Sequence, residues 1–110
     1  MTPPPNPSLA ELATVVGEDN VRNLVRTFLR EFPASLQLAA DSDRKQRHRL
    51  VHSMKSSARV VGAHGLSARL ATLEERLADA TAPELAPPEI EEVAAEFETI
   101  ARPLRAFVGA

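Results

Sequence analysis

The sequence lacks cysteine, tyrosine and tryptophan, and its 110 residues include only four phenylalanines. Without cysteine, the chain can form no disulfide and offers no thiolate to a metal ion. With so few aromatic side chains, a core has to be built from leucine, valine, alanine and isoleucine, and bases of single-stranded nucleic acid find little to stack on. A chain of this length buries one core of ordinary size, so one domain is expected.

Long apolar runs are missing as well. No segment approaches the length of a membrane span, and the first residues, MTPPPNP, contain no apolar signal-peptide stretch. We therefore expect a cytoplasmic protein with no membrane partner.

A glycine-rich phosphate loop is also absent, because GAHG (residues 62–65) is too short and lacks the lysine and hydroxyl ending of a P-loop. The sequence gives no sign of a nucleotide site.

The charged residues are segregated along the chain, although the net charge is only −2. Between Arg44 and Leu73 there are seven Arg or Lys and no Asp or Glu, whereas Glu74 to Glu98 contains nine acids and one Arg. This pattern indicates either a basic docking surface beside an acidic one or two neighbouring helices whose charges neutralise each other. Both interpretations can be correct, because the charges of these segments are expected on different faces of the helices.

The N-terminal part predicts a tail followed by helices. Residues 1–7 are proline-rich, and such a tail is expected to be disordered. Ser8, with Glu11 three residues on, fits a capping box that opens a short helix. Asp19 or Asn20 is expected to cap the second helix.

Two prolines fall inside long segments with helical periodicity. Because a proline costs a helix interior ~3 kcal/mol or more, Pro33 predicts a kink or a short break and Pro103 predicts a bend near the end of the last helix. The third helix is expected to begin after Ser42 or Asp43 and to end at Gly62.

A leucine every three or four residues from Leu66 to Leu77 marks the fourth helix, and Pro88 suits the first position of the fifth. Each long helix has one apolar stripe, short loops join the helices, and no strand-like alternation occurs. The sequence therefore predicts an all-α fold, an antiparallel four-helix bundle with a short N-terminal capping helix, as one domain over residues 8–110.

The segment VHSMKSSARVVGA (residues 51–63) places a histidine on the outside of an amphipathic helix. The positions expected to face the core are Leu50, Val51, Met54, Ala58 and Val61. His52, Lys55, Ser56 and Arg59 recur at the same spacing about a third of a turn round the helix, so they are expected to face solvent. An imidazole is substantially unprotonated near neutral pH and can act as a nucleophile. Lys55, one turn along, would offset the negative charge of an attached phosphoryl group.

Other chemistry is poorly supported. His48 and His52 are spaced to share a metal ion, but no third ligand is evident and the surrounding Arg and Lys repel a cation, so no metal site is expected. Ser56 and Ser57 lack a histidine–acid pair to activate them as nucleophiles. The basic helix lacks a helix-turn-helix pattern, so nucleic acid is not an expected partner. Since most exposed histidines are ordinary surface residues, spacing alone leaves the role of His52 undecided.

The stretch from Val51 to Leu77, VHSMKSSARVVGAHGLSARLATLEERL, resembles the histidine-containing phosphotransfer (HPt) domain of multistep phosphorelays. That family has a histidine, a lysine three residues on, a glycine and a serine, then Gly-Ala, a spaced leucine and a final Leu-Glu. The corresponding residues here are His52, Lys55, Ser57, Gly62-Ala63, Leu66, Leu70 and Leu73-Glu74. The outer helices match only in length and pattern.

The resemblance implies that His52 accepts a phosphoryl group from an aspartyl phosphate on one receiver domain and donates it to another. It implies that Lys55 gives electrostatic support. It also implies that Glu74 accepts a hydrogen bond from Nδ1–H of His52 and so leaves Nε2 as the nucleophile; a surface ion pair is the alternative for Glu74. The expected partner contacts are Ser56, Arg59 and His48. Ser57 and Gly62 belong to the structural motif.

The implied partners are the receiver domains of a hybrid histidine kinase and of a response regulator. The resemblance implies that this chain binds no cofactor and that Mg²⁺ is bound by the receiver. It also implies a phosphocarrier that is not an autonomous enzyme. We expect a monomer.

The sequence departs from the family pattern at two positions. Ser56 stands where the family usually has glycine, so its hydroxyl is expected to contact the phosphoryl group or the His52 carbonyl. Arg47 stands where an apolar residue is common, which predicts a more exposed turn.

Two other functions stay open at this point. The chain is alternatively a helical adaptor that binds a receiver or another signalling protein without carrying phosphate. It is alternatively the phosphorylatable domain of a chemotaxis-type histidine kinase, whose phosphoryl donor is a kinase with ATP. The presence of both His52 and Lys55 argues against the adaptor.

Overall fold

The computed structural model describes residues 2–109, and this part of the chain folds into helices without a strand. The helices are α1 (Pro7–Val16), α2 (Glu18–Ala40), α3 (Arg44–Val60), α4 (His64–Ala78) and α5 (Pro87–Val108). The predicted all-α bundle with a short N-terminal helix is confirmed. Within residues 2–109, none of the helices combines the length and apolar content needed to cross a membrane. Met1 of the predicted tail and Ala110 of the predicted domain lie outside the described residues.

The apolar stripes of the helices meet in one core with an aromatic centre. Phe32 and Phe97 stack with ring centroids 4.8 Å apart, and the ring of Phe28 lies 5.3 Å from that of Phe32. The stack of Phe32 on Phe97 joins α2 to α5, whereas Phe28 and Phe32 both belong to α2. Leu9 of α1 is fully buried in the same core, whereas Leu50, which was expected there, is only half-buried and lies outside it.

The first helix begins differently from the prediction. Asn6 is its cap: the Oδ1 of Asn6 accepts a hydrogen bond from the Leu9 N–H (2.9 Å), and Pro7 is the first helical residue. Proline suits this position because the helix needs no N–H donor there. The Ser8 hydroxyl instead lies 3.0 Å from Nε2 of His64. The capping box predicted at Ser8 is therefore wrong, and the helix starts inside the stretch assigned to the tail.

The second helix follows the first after a single residue, Gly17, whose φ of +91° is readily adopted only by glycine. This tight turn leaves no room for a separate capping segment. Asp19 and Asn20 therefore lie inside the first turn of α2, and the cap predicted at either of them is wrong. Glu18 and Asp19 still stabilise this end, because acidic side chains favour the positive end of the helix dipole.

Both internal prolines lie within continuous helices: α2 continues through Pro33 and α5 through Pro103. The short break predicted as one outcome at Pro33 is wrong. Burying a large apolar side chain contributes about 1.5–3 kcal/mol. The buried side chains of Phe32 and Leu36 on either side of Pro33 therefore offset the cost of the missing hydrogen bond.

The starts of the third and fifth helices are close to prediction. Asp43 caps α3, since its Oδ1 accepts a hydrogen bond from the Gln46 N–H (2.9 Å). The fifth helix begins at Pro87, one residue before the predicted Pro88. Helix ends commonly differ by a residue or two from any sequence-based boundary.

Candidate functional site

The turn between α3 and α4 sets the geometry of the site. Gly62 has a φ of +83°, and the Ala63 N–H donates to the Ala58 carbonyl (2.8 Å). A Cβ at Gly62 would collide with the side chain of Asn6, whose Nδ2 donates to the Val61 carbonyl (2.8 Å). Glycine is therefore required here both by the backbone and by the packing of the N-terminal segment. The tight turn returns α4 along α3.

This pairing brings three site residues together. Nδ1 of His52 lies 2.6 Å from Oε2 of Glu74, and Nζ of Lys55 lies 2.5 Å from Oε1 of the same carboxylate. The Glu74 side chain is 16 % exposed, whereas that of His52 is 58 % exposed. One half-enclosed carboxylate therefore holds both the imidazole and the ammonium group, and the imidazole stays open to a partner.

The charge of Glu74 decides which nitrogen of His52 is free. The hydrogen bond from Lys55 lowers the pKa of Glu74, burial opposes this effect, and the contact with His52 adds to it. An ionised carboxylate accepts hydrogen bonds and donates none. The proton in this contact is therefore assigned to Nδ1 of His52, and the lone pair of a neutral imidazole is on Nε2.

An exposed row of side chains surrounds His52 along α3. We call it the α3 strip; it consists of Lys45, Arg49, His52, Ser56 and Arg59. Among residues 2–109, no carboxylate lies within ion-pair distance of its three Lys and Arg side chains. The Ser56 hydroxyl donates to the His52 carbonyl (3.3 Å), one of the two contacts expected for it. The strip is therefore a positive surface with a small residue beside the histidine.

The Hpt domain model of known protein families matches residues 23–103, which include His52, Lys55 and Glu74. This chain belongs to the Hpt domain family. Hpt domains are phosphocarrier modules of two-component signalling and not classic enzymes. No curated protein and no solved structure matches the chain.

Two arginines of the basic segment have a structural role in this Hpt domain. Arg47 is 12 % exposed and donates to the carbonyls of Ala39 (2.7 Å) and Ser42 (2.8 Å) at the end of α2. It also pairs with Glu84 (2.8 Å). The exposed turn predicted at Arg47 is therefore wrong, because the guanidinium satisfies carbonyls that the helix end leaves unpaired. Residue spacing does not predict these contacts, because they join a side chain to backbone carbonyls.

Arg44 acts in the same way at the end of α4. It donates to the carbonyls of Leu77 (3.1 Å) and Arg76 (2.8 Å). Further along the Hpt domain, Arg69 pairs with Glu96 (2.5 Å) and Arg76 with Glu89 (2.6 Å), so α4 and α5 neutralise each other. The interpretation that neighbouring helices neutralise each other's charges therefore applies to these pairs of α4 and α5.

The remaining predicted site residues lie around this centre. His48 is half-buried and lines a shallow groove with Leu77 at the end of α4, one turn from His52. Ser57 is exposed on the side of α3 that faces α2. Ser67, which the sequence analysis missed, is buried and donates from its hydroxyl to the Lys55 carbonyl (3.0 Å). Within residues 2–109, no three His, Asp or Glu side chains are grouped to hold a metal ion.

Proposed function

We propose that this Hpt domain relays a phosphoryl group between the aspartates of two receiver domains through Nε2 of His52. The observation that carries the proposal is an exposed imidazole whose Nδ1 is engaged by a half-enclosed carboxylate, Glu74 (2.6 Å). This arrangement orients the ring and leaves one nucleophilic nitrogen for the partner.

In the forward step, the Nε2 lone pair attacks the phosphorus of an aspartyl phosphate. A P–N bond forms while the P–O bond to the aspartate breaks, and the aspartate leaves as a carboxylate. The imidazole gains positive charge, which the neighbouring Glu74 carboxylate stabilises. The reverse sequence, with a carboxylate of the second receiver as nucleophile, returns the imidazole to its neutral form.

Lys55 supports the phosphorylated state. Its ammonium group is held by Glu74 (2.5 Å) on the same carboxylate that binds His52, so it is kept close to the imidazole. A positive charge there offsets the charge of the phosphoryl oxygens. Mg²⁺, held by the receiver, supplies the remaining stabilisation.

The α3 strip is the docking surface in this proposal. The phosphorylation pocket of a receiver is acidic, and Lys45, Arg49 and Arg59 present positive charge around His52. Complementary charge of this kind speeds association and fixes orientation. Added salt should weaken docking, because exposed charges are screened over ~8–10 Å at ordinary ionic strength.

The decisive experiment mixes the protein with phosphorylated receiver domains. Transfer should place one acid-labile, alkali-stable phosphoryl group on the protein, and ATP alone should place none. His52→Gln keeps the polarity but removes the nucleophile, so this variant should stay folded and accept no label. His64→Gln is the control, because His64 is not an expected partner contact and its Nε2 lies 3.0 Å from the Ser8 hydroxyl; this variant should accept label.

Other results would contradict the proposal. Label that persists in His52→Gln would show that another residue carries the phosphate. A receiver that binds the folded protein without labelling it would favour the adaptor. Labelling by a histidine kinase with ATP, and by no receiver, would favour the domain of a chemotaxis-type kinase.

A further inference from the structure

A groove lies between α2 and α3, and its lining includes residues next to His52 in sequence and one helical turn from it. Its volume is about 380 Å³, and the buried rings of Phe28 and Phe32 contribute to its floor. Its α3 wall includes Ser53, the neighbour of His52, and Ser56, whose hydroxyl donates to the His52 carbonyl. A protein that presents an aspartyl phosphate to His52 therefore lies over this groove as well.

The open surface of the groove is apolar or hydroxyl-bearing except at one position. Val60 on α3 is 48 % exposed, and Leu24 on α2 is half-buried. Glu31 on α2 is the one charged side chain among the described residues that line the groove. It is exposed and forms none of the ion pairs found within residues 2–109. The groove thus offers apolar surface with a single free negative charge.

The two sides of the docking region differ in charge. On one side the α3 strip carries the positive charges of Lys45, Arg49 and Arg59, and on the other Glu31 carries a negative one. A partner whose contacting surface is acidic throughout would be attracted to the strip and repelled at Glu31. A partner that has an acidic pocket and one cationic side chain beside it would be attracted twice: its pocket to the α3 strip and its cation to Glu31.

We propose that Glu31 selects among receiver domains, by favouring a receiver that has a lysine or arginine on the element seated over the groove. The inference rests on the proposed function, because the occupant is the receiver docked on His52. It depends on two observations, the continuity of the groove with the histidine and the free charge of Glu31. Charges at the edge of an interface act mainly on association rate and on the rejection of wrong partners.

The test compares transfer rates from a panel of receiver domains taken from the source genome, each phosphorylated with acetyl phosphate. Initial rates at low salt are measured for the wild type, Glu31→Lys and Glu91→Lys. Glu91 is the matched control, since it is exposed on α5 and lies outside the groove. Receivers that the wild type prefers should transfer to Glu31→Lys about tenfold more slowly, as expected for reversal of a charge at an interface edge. Glu91→Lys should keep the wild-type ranking.

A compensating change identifies the contact. Replacing the groove-facing cation of the preferred receiver by glutamate should restore its transfer to Glu31→Lys and slow its transfer to the wild type. Glu31→Gln, which removes the charge without reversing it, should give intermediate rates. It also replaces Glu31→Lys as the test variant if circular dichroism shows that the lysine variant is not folded.

The outcomes separate this inference from the proposed function. An unchanged ranking in Glu31→Lys, with normal transfer to the wild type, overturns the inference and leaves the relay standing. An equal loss from every receiver also overturns it, because Glu31 would then aid docking without selecting. If no receiver labels the wild type, although the small donor phosphoramidate labels His52, both proposals fail.

Discussion

At the scale of single residues, Glu74 is the group that ties the chemistry of His52 to the fold. Glu74→Ala should slow phosphorylation of His52, since the acceptor for Nδ1–H is lost. A hydrogen bond to a charged group contributes about 1.5–3 kcal/mol, and the exposure of His52 favours the lower figure, a roughly tenfold loss of rate. The measurement is the initial rate of transfer from a phosphorylated receiver.

Glu74→Gln is the control for that experiment, because it keeps an acceptor oxygen but removes the charge. The glutamine side chain should still orient the imidazole ring of His52, but it should no longer stabilise the positive charge that the ring gains. The rate of phosphoryl transfer to Glu74→Gln should therefore lie between the rates of the wild type and of Glu74→Ala. Circular dichroism should show the same helix content in all three proteins. A wild-type rate in Glu74→Ala would mean that Glu74 is an ordinary surface ion pair.

The site could be predicted from the sequence only in part. Helical spacing placed His52, Lys55 and Arg59 on one exposed face, because those positions are close in sequence. Glu74 lies on another helix, and spacing cannot show that it meets His52; only the resemblance to a known family pointed to it. Ser67 was missed and the role of Arg47 was not predicted, because each side chain bonds to backbone carbonyls, which leave no pattern in the sequence.

At the scale of helices, Arg47 holds the end of α2, the start of α3 and the loop before α5 together. Arg47→Ala should lower the free energy of unfolding by about 2–3 kcal/mol, because the carbonyls of Ala39 and Ser42 would lose a charged donor in a place water reaches poorly. Thermal or urea unfolding measures this loss. Arg49→Ala, two residues on and exposed, is the matched control and should change stability by no more than ~0.5 kcal/mol. Equal effects of the two changes would contradict this role for Arg47.

The helices themselves could be predicted well, and their ends less well. Apolar residues at helical spacing report burial directly, so each of the five segments was recognised. Serine is a common capping residue, but α1 is capped by Asn6 and not by Ser8. Pro7, which follows Asn6, suits the first position of a helix. The cap predicted at Asp19 or Asn20 was wrong because the turn at Gly17 is tight, and this tightness depends on how α1 packs on α2. The short break at Pro33 did not occur, since burial of the two neighbours Phe32 and Leu36 together offsets the cost of one proline.

At the scale of the whole molecule, ion pairs between helices make stability depend on pH. The hydrogen bond from Lys55 lowers the pKa of Glu74, and that from Arg76 lowers the pKa of Glu89. A lowered pKa in the folded state means that the stabilisation is present above the unfolded value and is lost as the pH falls through the folded value. The free energy of unfolding should therefore fall between about pH 5 and pH 3.

Urea unfolding at a series of pH values measures this dependence. Glu89→Gln should make the fall shallower, because its ion pair with Arg76 (2.6 Å) is removed at every pH. Glu91→Gln, which removes an exposed acid that forms none of the ion pairs among the described residues, should leave the slope unchanged. An identical slope in Glu89→Gln would rule out this pair as a source of the pH dependence.

The tight turn at Gly62 has a further consequence, which concerns how the site comes into being. His52, Lys55 and Glu74 all belong to two consecutive helices, so assembling them requires the closure of one short loop and no contact with α1, α2 or α5. Local contacts of this kind form early and at low entropic cost when a chain folds. The outer helices contribute by covering the core on which this pair of helices packs. The segment that carries the family pattern, residues 51–77, accordingly lies within the α3–α4 hairpin.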